Sequence, residues 1–280
     1  MAITGQVTVN QTYVLEVDTD PSVSGVTAPQ GSLAILQGGQ GFWQKIGALD
    51  TNWQAVGGTT VVGATSHTIF EDFLFRDFAG HNGVLDWAEL SSGGGSSGTL
   101  DSGPPDNTSS GVVTLACGTT NTGRQTIESN NGINRILAGG NQTIEWRVQV
   151  SALSTSAQRY TIYAGLRDGN AAGDAANSIC FKYSDNLNSG QWLGQTRNAS
   201  TSTNVNSSVA VAASAWYKLR FQVNAGGTNV DFYVNDVYIG SSTTNIPTTN
   251  PMRFMAMIEK SVGTTNVNYL VDSLYYRTER

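Results

Sequence analysis

The chain has 280 residues, of which 13% are charged against about 25% in ordinary soluble domains, and a net charge of -6 from 15 Lys and Arg against 21 Asp and Glu. That balance supplies no basic face for nucleic acid, and no apolar run approaches the ~20 residues of a membrane-spanning helix, so both partner classes are set aside. Polar character comes instead from Gly, Ser, Thr and Asn, and the length allows one large or two unequal domains.

The N-terminus, MAITGQVTVNQTYVLEV, has neither a basic start nor an apolar h-region, so the chain is expected to be made in the cytoplasm without a signal peptide. A Pro-containing turn follows in DPSVSGVTAPQG, then a short apolar strand and a Gly-rich turn. The segment GFWQKIGALDTNWQAVG predicts a strand from Phe42 to Ile46, a turn from Gly47 to Asn52 and a strand from Trp53 to Val56. Together these read as a small β meander. Sixty residues of this kind bury too little to be very stable alone and are expected to fold against neighbours. A boundary near residues 61–68 divides the chain into a module at 1–63 and a larger domain at 64–280.

In the larger domain FEDFLFRDF and GVLDWAEL read as opening strands, and the Gly-rich stretch at 91–111 as a long surface loop. Beyond it the apolar residues alternate, the period-2 signature of half-buried strands. TIEWRVQV turns Ile144, Trp146, Val148 and Val150 inward, YKLRFQV does so with Tyr217, Leu219, Phe221 and Val223, and VDFYVNDVYIG with Val230, Phe232, Val234, Val237 and Ile239. Asn235-Asp236 tolerates positive φ and predicts a two-residue hairpin. MRFMAMI and VNYLVDSLYY add two more strands. Many short strands without intervening helices predict an all-β chain whose larger part is an antiparallel sandwich or jelly roll. Cys117 and Cys180 lie in strand-like runs and are expected to pack as buried thiols.

The search for chemistry returns little. The histidines, His67 and His81, read as surface or turn residues. Glu145, Asp231 and Asp272 are isolated acids flanked by apolar neighbours, read as outward-facing, and not the clustered carboxylates of sandwich glycosidases. RDGNAAGDAAN offers Asp168, Asn170, Asp174 and Asn177 as hard oxygen ligands suited to calcium, but without EF-hand spacing, and Asx-rich turns also form for backbone reasons. No cofactor is implied and the chain is expected not to be an enzyme. Trp146 reads as core. Trp192, after the polar turn SDNLNSG, is a candidate to stack on a sugar, whose apolar face suits an aromatic ring while its hydroxyls need polar partners.

Residues 70–280 resemble the concanavalin-like, or laminin-G-like, jelly rolls of tailed-phage virion proteins. The resemblance rests on EDFLFRDFAGHNGVLDW, TIEWRVQVSALSTSAQRYTIYAGLRDGN, AWYKLRFQVNAGGTNVDFYVNDVYIGSSTTNIPT and KSVGTTNVNYLVDSLYY. The segment APQGSLAILQGGQGFWQKIGALDTNWQAVG looks like a short module found near the N-termini of phage fibres and head-decorating proteins, matched at Gly31, Ser32, Phe42, Trp43, Lys45, Gly47, Asp50, Thr51 and Trp53. In such proteins the module often lies near the part held by the virion. The resemblance therefore implies that Phe42, Trp43, Lys45, Asp50 and Trp53 serve attachment, with core packing of the module as the compatible alternative.

The first function this implies is a capsid decoration (cement) protein of a bacteriophage virion. It would grip the major capsid protein, or other virion proteins, through the N-terminal module and display the jelly roll. The second is a tail fibre or spike component whose jelly roll binds a host-surface glycan; solvent-facing aromatics beside amides would favour it. A glycan-cleaving enzyme ranks third. Self-association is expected, with a trimer as the guess from virion symmetry.

Overall fold

The structure, a computed structural model, describes residues 3–9, 12–36, 42–55, 66–71, 73, 85, 87–93, 99–100, 111–129 and 140–279. The chain divides into two compact units, residues 1–65 and 66–280.

The first unit is a five-stranded sheet of β1 (Ile3–Val9), β2 (Thr12–Val17), β3 (Leu33–Leu36), β4 (Phe42–Lys45) and β5 (Trp53–Ala55), in that spatial order. Its neighbours pair antiparallel except β2 and β3, which run parallel. This corrects the expected meander. Parallel neighbours need a crossover, and residues 18–32 provide one. Within it Pro21 opens a single helical turn, α1 (Pro21–Ser24), and the Asp20 carboxylate caps that turn by accepting from the Ser22 amide at 2.8 Å. Leu15, Val17, Val26, Ala34, Trp43 and Trp53 form the unit's own core.

The second unit is all antiparallel. One sheet has the order β15 (Thr201–Ala210), β14 (Gln191–Asn198), β13 (Ser178–Tyr183), β12 (Tyr160–Arg167), β19 (Arg253–Lys260), β10 (Arg124–Ser129), β7 (Trp87–Ser92). The other has the order β18 (Val237–Ser242), β17 (Val230–Val234), β16 (Trp216–Val223), β11 (Asn141–Val150), β20 (Asn268–Glu279), β9 (Val113–Ala116), β8 (Thr99–Leu100), with β6 (Ser66–Glu71) also paired to β20. Part of the expected Gly-rich loop is thus a strand, because Thr99 and Leu100 pair with β9.

The two sheets close over one apolar core. The inward sets of β11, β16 and the first half of the β17 hairpin are buried as their alternation predicts. Val237, read as inward, is 62% exposed because it is the first residue after the turn at the sheet edge. Asn235 and Asp236 take φ of 50° and 65°, the primed geometry that matches the twist of the flanking strands. Gly194 of β14 is required by the sheet contact, since a Cβ there would sit 2.7 Å from the Phe232 ring. Cys117 and Cys180 are both free and buried, Cys117 in the inter-sheet core and Cys180 beside Tyr163, Met255 and Met257 in a separate cluster.

Candidate functional site

On the outer face of the eight-stranded sheet, cross-strand register turns the residues left over from the core pattern into rows. One row runs Phe70, Tyr275, Glu145, Arg220, Tyr233, Tyr238 across β6, β20, β11, β16, β17 and β18. The Arg220 guanidinium lies 4.4 Å over the Tyr233 ring, and Tyr238 meets that ring edge-on at 5.6 Å. Phe70 and Tyr238, at opposite ends of the row, are 60% and 54% exposed.

The adjacent row runs Thr68, Arg277, Thr143, Gln222, Asp231, Ser241. Its centre is the floor of a groove of about 350 Å³, with Asn141, Asn224 and Glu279 at the rim. The groove thus presents amides, a hydroxyl, carboxylates and the Arg277 guanidinium, and the aromatic row is the neighbouring row of the same face.

Each cation of this face among the described residues has a carboxylate beside it. Arg277 lies 2.5 Å from Glu279, Arg147 2.6 Å from Asp272, Arg220 3.6 Å from Asp236, and Lys218 is hydrogen-bonded to Asp236. The Lys218 hydrogen bond holds the Asp236 carboxyl below its ordinary value and raises the Lys218 ammonium above its own. Asp272 reaches Arg147 because it is the extra residue of a bulge between the Arg147–Ser273 and Val148–Val271 pairs. Read from sequence as an outward-facing acid, Asp272 is in fact 8% exposed and paired. Arg147 also stacks 4.6 Å over Trp216. Internal pairing leaves the described part of the face without surplus positive charge.

The residues singled out from sequence fall elsewhere. Trp192 is wholly buried, packed against Tyr183 at 5.8 Å and Tyr217 at 5.5 Å, and offers no ring face to a ligand. The polar turn before it is a surface feature, but Trp192 is the second residue of β14 and points between the sheets.

In the N-terminal unit Trp43 and Trp53 are core residues, and Lys45 is 1% exposed, its ammonium donating to the carbonyls of Val26 and Leu49. Of the attachment candidates Asp50 is exposed, accepting from Thr27 Oγ1 at 2.8 Å. Phe42 opens β4 opposite Ile35, and its side chain lies outside the described residues.

The calcium candidates are engaged with protein partners. Asp168 accepts from the backbone and side-chain nitrogens of Asn177 at 3.1 and 2.7 Å, while Asp174 pairs with Lys182 at 2.5 Å and Arg197 at 3.6 Å. Asn170 joins neither group, and among the described residues no cluster of three His, Cys, Asp or Glu suits a metal. His67 lies exposed in β6, and His81 lies outside the described residues.

Those carboxylates set a pH response. Burial alone would raise the Asp174 carboxyl, but the hydrogen bond and charge of Lys182, with Arg197 and Arg167, outweigh it and hold the group low. Asp185 is held low chiefly by its two-point contact with Arg159 at 2.9 Å. Both groups have lower values folded than unfolded, so their stabilisation is complete above the unfolded value of about 4 and is lost as pH falls through the folded values. The sandwich melting temperature, followed by calorimetry, is expected to drop on acidification from pH 4 towards 2. Arg159→Gln should lessen that drop, and a melting temperature indifferent to pH in this range would refute the assignment.

The sequence model of the family described as SO2946-like, C-terminal domain, matches residues 108–272, more than half of the chain. The chain belongs to that family. The SO2946-like match includes β11, β16 and β17, and hence Thr143, Gln222, Asp231, Arg220 and Tyr233, and stops at Asp272 before Tyr275 and Arg277. The crystal structure of SO2946 from Shewanella oneidensis MR-1, a protein of unknown function, superposes with a TM-score of 0.55 at 14% identity, covering 76% of this chain and 87% of that one. The potassium-bound carbohydrate recognition domain of Emp46p superposes with a TM-score of 0.51 at 11% identity, covering 74% and 94%. At such identities the likeness is one of fold. No curated protein sequence matches the chain.

Of the site residues the sequence singles out Glu145 and Asp231, as outward-facing acids, and not the others. Tyr233, Arg220, Thr143 and Gln222 are the alternate positions to inward sets that were read, so their outward direction was legible. Their assembly into rows depends on register between distant strands, for which the sequence carries no local signal.

Proposed function

We propose that the sandwich is a carbohydrate-binding module that takes a neutral glycan in the groove of the eight-stranded sheet. The observation that carries this reading is the aromatic row of Phe70, Tyr275, Tyr233 and Tyr238, exposed at its two ends and half-buried at Tyr275 and Tyr233, in the row beside Thr143, Gln222 and Asp231. Rings cover the apolar faces of sugars, and convergent amides and carboxylates take their hydroxyls. A sandwich of this kind also forms the carbohydrate recognition domain of Emp46p, which supports the reading at the level of the fold. The internally paired charges favour a neutral ligand, and the role is binding without bond cleavage.

The phage-like resemblance of both parts adds the setting, a virion protein that displays this module while residues 1–65 attach it and join copies. Of the two virion roles, the tail fibre or spike binding a host glycan is preferred over capsid decoration, because aromatics beside amides are what glycan capture needs.

The test is a glycan array followed by calorimetry on the best neutral ligand. Tyr233→Ala and Gln222→Ala are each expected to weaken binding about tenfold, the ~1.4 kcal/mol scale of one ring or one hydrogen bond. Raising the salt to about 1 M should change the affinity little, since no net charge is neutralised. Absence of any glycan ligand, or wild-type affinity in Tyr233→Ala, would refute the module.

A further inference from the structure

The opposite face of the sandwich holds a second polar site. Register across the seven-stranded sheet places Arg253, Arg167, Ser178 and Arg197 in one row on β19, β12, β13 and β14. Arg167 is 1% exposed, and the described residues provide it with no carboxylate in ion-pair contact. Its guanidinium lies 4.3 Å over the Tyr163 ring, NH1 faces the sulfurs of Met257 and Met255 at 3.4 and 3.8 Å, NH2 donates to the Gly173 carbonyl at 2.5 Å, and Nε has no partner. A buried charge met by sulfur, a ring and one carbonyl is poorly compensated. Nearby, the Nε of Arg197 and the Oε1 of Gln195 are also buried without partners.

What closes this site is the segment 168–177, which crosses it as a strap. Asp168 and Asn177 hold its two ends together through three hydrogen bonds. Between those ends it is held at Gly173, at Asp174 and at Ala176, whose carbonyl accepts from the Ser200 amide at 2.9 Å. Gly173 donates to Glu259 at 2.8 Å and accepts from Arg167, while the Asp174 carboxylate spans Lys182 and Arg197. The rest is small, with Gly169, Ala171, Ala172, Ala175 and Ala176, of which Ala175 is buried, and a side chain at Gly169 or Gly173 would meet open space. Lifting the strap uncovers the buried Ala175 and takes the Gly173 carbonyl from Arg167 and the Asp174 carboxylate from Lys182 and Arg197, while Arg197 keeps its hydrogen bond to Ser202 Oγ at 2.6 Å.

We propose that Arg167, Lys182 and Arg197 form a carboxylate-binding site on the seven-stranded sheet, which the strap's own Asp174 occupies until the carboxylate of a ligand replaces it. The ligand class is an organic acid group such as that of a uronate residue, because charge-assisted donors from one lysine and two arginines match one carboxylate. This site is separate from the groove of the other sheet and does not depend on it. Asp174 acts as a built-in competitor, so its removal should raise affinity where loss of an ordinary structural residue would lower it.

The experiment titrates the full chain, as wild type, Asp174→Ala and Asp174→Asn, with sodium glucuronate, sodium acetate and glucose, by calorimetry and by amide exchange of residues 168–177. Asp174→Ala is expected to bind glucuronate at least tenfold more tightly than wild type, and Lys182→Met added to it should abolish the gain. In wild type, saturating glucuronate should speed exchange in the strap. Acetate binding as well as glucuronate would identify a bare carboxylate as the ligand, and weaker acetate binding would add contacts to the sugar ring; both outcomes support the site. A natively folded Asp174→Ala with no gain, or glucose binding as well as glucuronate, would overturn it. Should Asp174→Ala fail to fold, the isosteric Asp174→Asn carries the same test, and absence of any gain there is equally decisive.

Discussion

Trp53→Ala is expected to melt the N-terminal unit while leaving the sandwich folded. The Trp53 indole is 5% exposed, donates from Nε1 to the Val26 carbonyl at 3.1 Å and lies 5.3 Å from the Lys45 ammonium. Truncation removes one of the two largest members of a six-residue core and opens a cavity beside a buried charge. Phe or Trp to Ala in a core costs about 3–5 kcal/mol. A unit of some sixty residues has only ~3–9 kcal/mol in total, so the loss takes most or all of it. Hydrogen exchange read by mass spectrometry should show β2, β3 and β4 losing protection while β11 and β16 keep theirs. Under the virion reading, the same variant should be poorly incorporated into particles. Leu49→Ser changes a side chain that is 67% exposed and so probes attachment without the unfolding. An N-terminal unit that stays protected in Trp53→Ala would show that Trp53 is not the centre of its stability.

Trp192→Ala is expected to destabilise the sandwich by about 3–5 kcal/mol in urea unfolding and to leave glycan affinity unchanged under native conditions. The indole fills the space between Tyr183 of β13 and Tyr217 of β16, so it joins the two sheets directly. Neither the groove nor the aromatic row touches it. The opposite pattern, with stability retained and sugar affinity lost, would return Trp192 to the role of ligand contact that its sequence context suggests.

The contrast between these two tryptophans and the tyrosines of the groove shows how far the sequence could be read. Alternation over Ile144 to Val150 and Tyr217 to Val223 is a local property of each strand, and it predicted which side chains are buried. Asn235-Asp236 predicted its own turn because the need for positive φ is met by those two residues alone. Trp192 follows a polar turn but is the second residue of β14, and a local polar neighbourhood says little about burial where a strand has just begun. The parallel pairing of β2 with β3 was missed because residues 18–32 look like a turn, and only where their ends lie reveals a crossover.

What the sequence determined by itself is therefore the all-β class, the alternating strands such as β11, β16 and β17 with their inward faces, and the tight turn at Asn235-Asp236, since these follow from periodicity and backbone preference within a few residues. Tertiary structure alone decided the sites. Tyr233, Arg220, Glu145 and Tyr275 become one row, and Arg167, Lys182 and Arg197 one cationic pocket under Asp174, only through register between strands far apart in the chain. That register is set by the summed packing of the shared core and by bulges such as the one at Asp272, and no short stretch of residues encodes it.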